Sequence, residues 1–260
     1  MSHNKPAIAV HKFSSCDGCQ LALLNLGESL LTLSSMVDIL HFAEAGPVDE
    51  NAKVDIAIIE GSISTTDDIE RINRIRDNST LVMTIGACAT AGGLQALRNM
   101  ADTQQWIADI YANPAVIKSL EKSTAIKKHI KVDLELWGCP VSKREIVNAI
   151  RALLFGVLPE EKNEKICMEC KRQQNMCVMV TKNEPCMGPV TRTGCGALCP
   201  SVGRDCYGCY GPAENPNTQA MANRLEGLGL IKDEVARRFL FINNGAEAFH
   251  RQGMHSRETE

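Results

Sequence analysis

The sequence predicts an α/β chain in which a doubly wound parallel sheet fills residues 1–160 and a smaller, irregular domain fills 161–260. Three observations predict it. Over the first 160 residues, short apolar runs alternate with amphipathic helical stretches, the pattern of strands covered on both faces by crossover helices. Near Pro159 this periodicity stops, and the stretch to Pro216 holds eight of the twelve cysteines among many Gly and Pro. The other four cysteines sit at or just beyond the carboxyl ends of predicted strands, where open α/β sheets bind their ligands.

The runs at 7–13, 37–42, 54–59, 80–85 and 131–136 read as buried parallel strands. Between them, 20–33 carries leucines on one face. The 66–77 stretch starts after Ser64 and Thr65 with Asp67 and Asp68 in its first turn, where carboxylates complement the helix dipole. Stretches 87–99 and 102–111 follow, and 142–155 is amphipathic and stops at Gly156. Strands and helices in this order make the sheet flavodoxin-like. Residues 159–216 cannot build an apolar core alone and need bound metal to organise them. Helices are expected at 218–227 and 232–243, then a polar, frayed tail from His250 to Glu260.

A formal charge of −3, with Lys127, Lys128 and Lys131 among the scattered cations, gives no basic footprint for nucleic acid. The chain shows neither an apolar leader segment nor a run of eighteen apolar residues, so a cytoplasmic location without a stable membrane anchor is expected. In that setting, disulfides are scarce and C-x-x-C pairs read as metal ligands. The twelve cysteines fall into three sets of four. Cys16, Cys19, Cys88 and Cys139 lie about 70 and 50 residues apart yet converge on one sheet edge. Cys167, Cys170, Cys177 and Cys186 form a compact set, and Cys195, Cys199, Cys206 and Cys209 another, with Cys199-Pro200 like the Cys-Pro step of bacterial cluster motifs. Four thiolates hold one cubane, so three 4Fe–4S clusters and a C-terminal irregular iron–sulfur domain are expected. Exchange between the last two sets, such as Cys186 for Cys195, stays open. Gly18 is expected to turn the backbone between Cys16 and Cys19, and Gly86 and Gly138 to let the backbone approach a cubane.

Plainer alternatives exist. Cys88 and Cys139 taken singly suit buried core thiols, and the two later sets suit zinc ribbons. There is no G-x-G-x-x-G after a predicted strand and no Walker A lysine, so no nucleotide site is expected and Gly92 and Gly93 read as packing glycines. No flavin site is expected. A cluster relay lacking a substrate site needs a catalytic partner at one end and an acceptor module at the other.

The segments Cys16-Asp-Gly-Cys19-Gln20, Ile59-Glu60-Gly61-Ser62, Gly86-Ala-Cys88-Ala-x-x-Gly92-Gly93, Gly138-Cys139-Pro140 and Cys186-Met-Gly-Pro-Val-Thr-Arg-x-Gly-Cys195 resemble the small subunits of NiFe hydrogenases. Over nearly the whole chain the likeness is to the cytoplasmic, NAD(P)-linked class often called sulfhydrogenase delta subunits. The resemblance implies a proximal cluster on Cys16, Cys19, Cys88 and Cys139, a medial one on Cys195, Cys199, Cys206 and Cys209, and a distal one on Cys167, Cys170, Cys177 and Cys186. It also implies a NiFe large subunit holding the catalytic metals, iron–sulfur and flavin/NAD(P) diaphorase subunits as partners, and no catalytic residue on this chain. Periplasmic relatives have His where Cys167 stands, Pro where Cys199 stands, and a twin-arginine leader. Where many relatives have a proton-transferring Glu, this chain has Gln20, which cannot titrate. Glu60 is the nearest substitute, although a carboxylate accepting local backbone N–H groups is the plainer role. His41 and His129 read as surface or packing residues and Trp137 as packing against the cluster loop. Rival assignments are a hydrogenase serving heterodisulfide or deazaflavin reduction, a complex I-type cluster subunit, and a zinc-ribbon interaction protein. The complex I subunit is expected to have adjacent cysteines in the first motif and to lack the eight later ones.

Overall fold

Alternation along β1 (Ala7–Lys12) sets the architecture. Ile8 and Val10 face one side and Ala9 the other, and all are buried. β3 (Val54–Glu60) and β4 (Ser79–Ile85) repeat the pattern. Ile56, Ile58, Met83 and Ile85 join Ile8 and Val10 in one core, while Ala57, Ile59 and Val82 join Ala9 in another. A sheet with two apolar faces must carry helices on both. In the computed structural model, which describes residues 5–161 and 163–258, the five strands form one parallel sheet in the order β2-β1-β3-β4-β5. β2 (Asp38–Phe42) and β5 (Leu134–Leu136) are its edges. This is the flavodoxin-type order, so the expected fold class is borne out.

Helices α1 (Gly18–Leu24), α2 (Glu28–Met36) and α6 (Lys143–Leu154) bury Leu23, Leu33, Ile146 and Ile150 on the first face. On the other face lie Ile72 and Ile75 of α3 (Thr66–Asp77) and Ala89 of α4 (Gly86–Ala91). α3 begins with a capping box: the Thr65 hydroxyl accepts the Asp68 N–H and the Asp68 carboxylate accepts the Thr65 N–H. α5 (Thr103–Ile110) is capped by Asp102.

Four expectations are corrected. The helix expected at 20–33 is two helices, divided at Gly27, whose φ of 61° leaves the helical region. The helix expected at 87–99 changes after α4 into a 3₁₀ segment, Gly93–Met100. β5 is half its expected length because Asp133 Oδ2 accepts the Val82 N–H at 2.9 Å, occupying a donor that a longer strand would use. The Arg76 guanidinium, 2.6 Å away, holds that carboxylate in place. The frayed tail is instead α12 (Glu247–Glu258), with Phe249, Gln252, Gly253 and Ser256 buried. Residues 259–260 lie outside the described residues.

The chain divides into two compact units: one runs to Leu136 and resumes over Pro140–Pro159, and the other joins Trp137–Cys139 to the chain from Glu160 onward. Within the second unit, α10 (Thr218–Glu226), α11 (Lys232–Phe239) and α12 supply Met221, Leu225, Val235, Phe239 and Phe249 to a core with Ile166, Met187 and Val190. The cysteine-rich stretch is too poor in apolar residues to make this core, so it pools what it has with the three helices. Its own helices are short: α7 (Ile166–Arg172), α8 (Val178–Thr181) and α9 (Leu198–Ser201). No helix among the described residues is long and apolar enough to cross a membrane.

His11 and His41 stack face to face in the first unit, ring centroids 4.5 Å apart, both buried. Burial, reinforced by His41 and by Arg71 and Arg74, lowers the pKa of His11 from 6.5 to about 3, and burial also lowers that of His41. The folded state therefore favours neutral rings. The stability this provides is complete above pH 6.5, the ordinary value, and is lost as pH falls toward about 3. His11→Phe, which keeps a ring in the stack, is expected to flatten the acid limb of a denaturant-midpoint profile by up to about 1.4 kcal/mol per pH unit.

Candidate metal centres

None of the twelve cysteines is joined in a disulfide. In the first unit, Cys16 lies in the turn between β1 and α1, and Cys19 is the second residue of α1. The left-handed residue that makes this turn is Asp17, at φ 65°, rather than Gly18. Asp17 is held by the Lys12 ammonium at 2.7 Å. Cys19 is buried and fixed twice: its N–H donates to Glu60 Oε1 at 3.0 Å, and its Sγ accepts the Val141 N–H at 3.5 Å. Glu60, at the end of β3, is 2% exposed, and burial raises its pKa despite the N–H bonds it accepts from Cys19 and Gln20. The Gln20 side-chain amide lies beside the same carboxylate and, with these N–H groups, opposes the upward shift. Glu60 thus anchors the cysteine turn. Its replacement by Leu leaves the Cys19 N–H unpaired and is expected to cost about 1–3 kcal/mol, read as a lowered denaturation midpoint.

Cys88 is in α4, three residues past β4. A Cβ on Gly93 would stand 2.5 Å from Cys88 Sγ, so Gly93 keeps the space the thiol occupies. Gly93, expected to be a packing glycine, therefore sets the room left for the Cys88 thiol. Motif spacing could not reveal it, because the contact arises only when the 3₁₀ segment folds back over α4.

In the second unit, Cys167, Cys170, Cys177 and Cys186 line one cavity of about 140 Å³, walled by Ile166, Val178, Met179, Pro189 and Pro200. Burial is the main influence on three of these thiols, and repulsion from neighbouring cysteines adds to it. The pKa of Cys170 rises to about 11, and those of Cys167 and Cys186 rise as well. Burial, with repulsion from Cys195, Cys139 and Cys199, pushes the Cys209 thiol up to about 12. Cys206 is buried deepest and is shifted upward by burial, with Cys186 and Cys209 as charged neighbours.

Backbone N–H groups point at these sulfurs. Cys206 N–H donates to Cys186 Sγ at 3.3 Å and Gly208 N–H to Cys206 Sγ at 3.4 Å. Leu198 and Ala197 donate to Cys195, and Cys139 to Cys209. The Cys206 N–H bond to Cys186 Sγ thus links the two sets, and Cys186 lines the same cavity as Cys167, Cys170 and Cys177. Glu169 of α7, which carries no signal in the sequence, accepts the Gly194 N–H at 3.1 Å and the Ala197 N–H at 3.0 Å and so shapes the loop after Cys195.

Cys139 and Trp137 belong to the second unit, whereas Cys16, Cys19 and Cys88 belong to the first. The Trp137 ring lies against Gly211 and under the Arg192 guanidinium, 4.6 Å from the centroid. His129 Nε2 bonds the Thr124 hydroxyl at 2.7 Å, and His41 packs on His11.

Among the described residues, no three His, Cys, Asp or Glu side chains close on a point that a single metal ion could occupy. The donor set in the second unit suits iron–sulfur chemistry: soft sulfur ligands, an apolar wall, and N–H donors aimed at sulfur. Desolvated thiols held this close are costly as thiolates, and a cationic metal core removes that cost.

Comparison with known proteins follows the same lines. Residues 16–153 match the family described as NADH ubiquinone oxidoreductase, 20 Kd subunit. Sulfhydrogenase 2 subunit delta of Pyrococcus furiosus is 32% identical over 89% of this chain and 96% of its own length. A vhu-type subunit of the F420-non-reducing hydrogenase of Methanocaldococcus jannaschii is 30% identical over 88% of this chain and 92% of its own. Among solved structures, a chain of an NAD⁺-reducing [NiFe]-hydrogenase in the H₂-reduced state superposes with a TM-score of 0.57 at 25% identity, over 60% of this chain and 95% of that one. An actinobacterial-type NiFe-hydrogenase from Ralstonia eutropha H16 shares the fold with a TM-score of 0.60 at 15% identity, over 98% of this chain and 91% of that one. The matched residues, the coverage of the delta-subunit relative and the parallel sheet agree: this chain belongs to the family of the 20 kDa oxidoreductase subunit and, within it, to the small subunits of multisubunit NiFe hydrogenases.

Proposed function

We propose that this subunit relays electrons between the nickel–iron site of a large subunit and an NAD(P)-linked diaphorase module, through three 4Fe–4S clusters. Cys16, Cys19, Cys88 and Cys139 would hold the proximal cluster, Cys195, Cys199, Cys206 and Cys209 the medial one, and Cys167, Cys170, Cys177 and Cys186 the distal one. The observation that carries the reading is the convergence of Cys167, Cys170, Cys177 and Cys186 on one apolar cavity, hydrogen-bonded through Cys206 to the next thiol group. When bound, such clusters supply one-electron steps between adjacent oxidation states.

The chain's own residues fix where those steps occur and at what potential. The thiols set position, and the apolar walls exclude water. The N–H donors from Val141, Cys206, Gly208 and Cys139 stabilise charge on sulfur, which raises a cluster's potential relative to a bare apolar site. Lys171 and Lys165 favour the charged form of Cys167. Oxidation of H₂ and reduction of protons would take place on the large subunit, and flavin and iron–sulfur subunits of the diaphorase would gather two electrons for hydride transfer. A cytoplasmic complex fits the NAD(P) linkage.

A second acceptor is favoured by one finding. The relative from the F420-non-reducing hydrogenase is nearly as similar as the sulfhydrogenase one, so a hydrogenase coupled to heterodisulfide reduction is the second reading. Anaerobic purification with copurifying subunits tests both. About twelve iron and twelve sulfide per chain are expected, with nickel in one partner and flavin in another. Zinc without sulfide would defeat the relay, and an absent flavin subunit would defeat the NAD(P) linkage alone.

A further inference from the structure

A cleft of about 420 Å³ in the second unit is lined by Pro185, Tyr207, Leu230, Glu234, Arg237, Arg238 and Phe241. Pro185 and Tyr207 are the chain neighbours of Cys186 and Cys206, the two cysteines joined by the 3.3 Å hydrogen bond. The cleft therefore lies one residue from the link between the two thiol groups.

Its rim is cationic, although the chain carries a net charge of −3. The Arg204 and Arg238 guanidiniums lie 5.8 and 5.4 Å from the Tyr207 ring centroid, and Arg204 donates to the Tyr207 hydroxyl at 3.1 Å. Lys182 Nζ donates to the Gly203 carbonyl at 3.1 Å, which extends the basic strip toward α8. Asp205 answers Arg238 at 2.5 Å, Asp233 answers Arg237 along α11, and Glu234 is committed to the Ile231 N–H. Among the described residues, Lys182 and Arg204 make no ion pair. Among the lining residues, Phe241 is 46% exposed and Tyr207 36%. Exposed aromatic residues ringed by arginines are the composition of a protein interface core.

We infer that this cleft is the docking surface for a diffusible, acidic, ferredoxin-type iron–sulfur protein that exchanges electrons with the thiol-bound clusters. The inference rests on the relay reading and adds the place and charge of the partner. Carboxylates on the partner would meet Lys182, Arg204 and Arg237 and steer its approach. The aromatic floor would exclude water where the two chains come within one residue of Cys186 and Cys206. The exposed face of Met176, Cys177 and Val180 is the competing exit, and the test includes it.

The experiment titrates the purified, cluster-loaded hydrogenase complex with an acidic two-cluster bacterial ferredoxin under anaerobic conditions at several salt concentrations. Arg204 is fully exposed and Arg237 pairs only along its own helix, so the double variant Arg204→Glu/Arg237→Glu is expected to fold. Ferredoxin affinity should fall about tenfold or more in this variant, its salt dependence should shrink, and KM for ferredoxin should rise with kcat and the cluster EPR spectrum unchanged. Affinity indifferent to the double variant, or lost instead in Met176→Ser/Val180→Ser, would overturn the assignment. So would a wild-type complex that does not bind ferredoxin. A complex without iron and sulfide would remove the relay reading itself, a result distinct from intact clusters with unaltered binding.

Discussion

Gly93→Ala is expected to remove one cluster from the protein and leave the other two. Gly93 has φ +59°, a conformation that already strains alanine by about 1–3 kcal/mol. The larger effect is steric. The added carbon would lie 2.5 Å from Cys88 Sγ, 2.8 Å from Cys88 Cα and 2.9 Å from its nitrogen. Two of these three atoms are backbone, so rotating the Cys88 side chain gives no relief; α4 must shift and carry the thiol with it. Iron should fall from about twelve to about eight per chain, and H₂-dependent reduction of the physiological acceptor should be abolished. Gly156→Ala separates strain from contact, because Gly156 has φ +71° but a Cβ there meets nothing within 4 Å. That variant should keep its iron.

The second large effect is expected at Glu169. Its carboxylate accepts N–H groups from Gly194 and Ala197, in a loop where Gly196 has φ 70° and Ala197 φ 51°. Ala197 is fully buried, so water cannot replace the lost acceptor. Glu169→Ala should cost about 2–4 kcal/mol, since hydrogen bonds to a charged group contribute about 1.5–3 each and buried donors left unpaired are costly. The loss should appear as a lower thermal midpoint of the second unit and depleted iron at the Cys195 group, with the Cys167 group retained. Glu169→Gln keeps one acceptor oxygen and should restore about half of the stability.

The sheet was legible because strands buried on both faces need continuous apolar runs, and 7–13, 54–59 and 80–85 have them. α12 was not, because its composition is polar and its case rests on a few residues: Phe249 meets Phe239 edge-on at 5.7 Å, and Gly253 lets Leu240 approach. The helix break at Gly27 was equally hidden, since leucines on both sides keep a helical period. In the site, cysteine spacing identified the thiols but not what holds them. Glu169 acts on backbone N–H groups 25 and 28 residues away, which no side-chain pattern encodes. Asp17 in place of Gly18 at the left-handed position shows the same limit: a glycine marks freedom to turn, and a side chain anchored by Lys12 can take the turn instead. Glu60 was legible as a carboxylate near the first motif, and its bond to the Cys19 N–H supplies the structural role.

The central claim, three cysteine-held cubanes in electronic contact with the nickel–iron site, is tested most directly by Mössbauer spectroscopy of the anaerobic complex, grown on isotopically enriched iron, before and after exposure to H₂. The account requires about twelve cluster irons per chain, with all three clusters changing oxidation state under H₂. Fewer irons with zinc in the thiol sites, or clusters that stay oxidised under H₂ while the large subunit turns over, would contradict it.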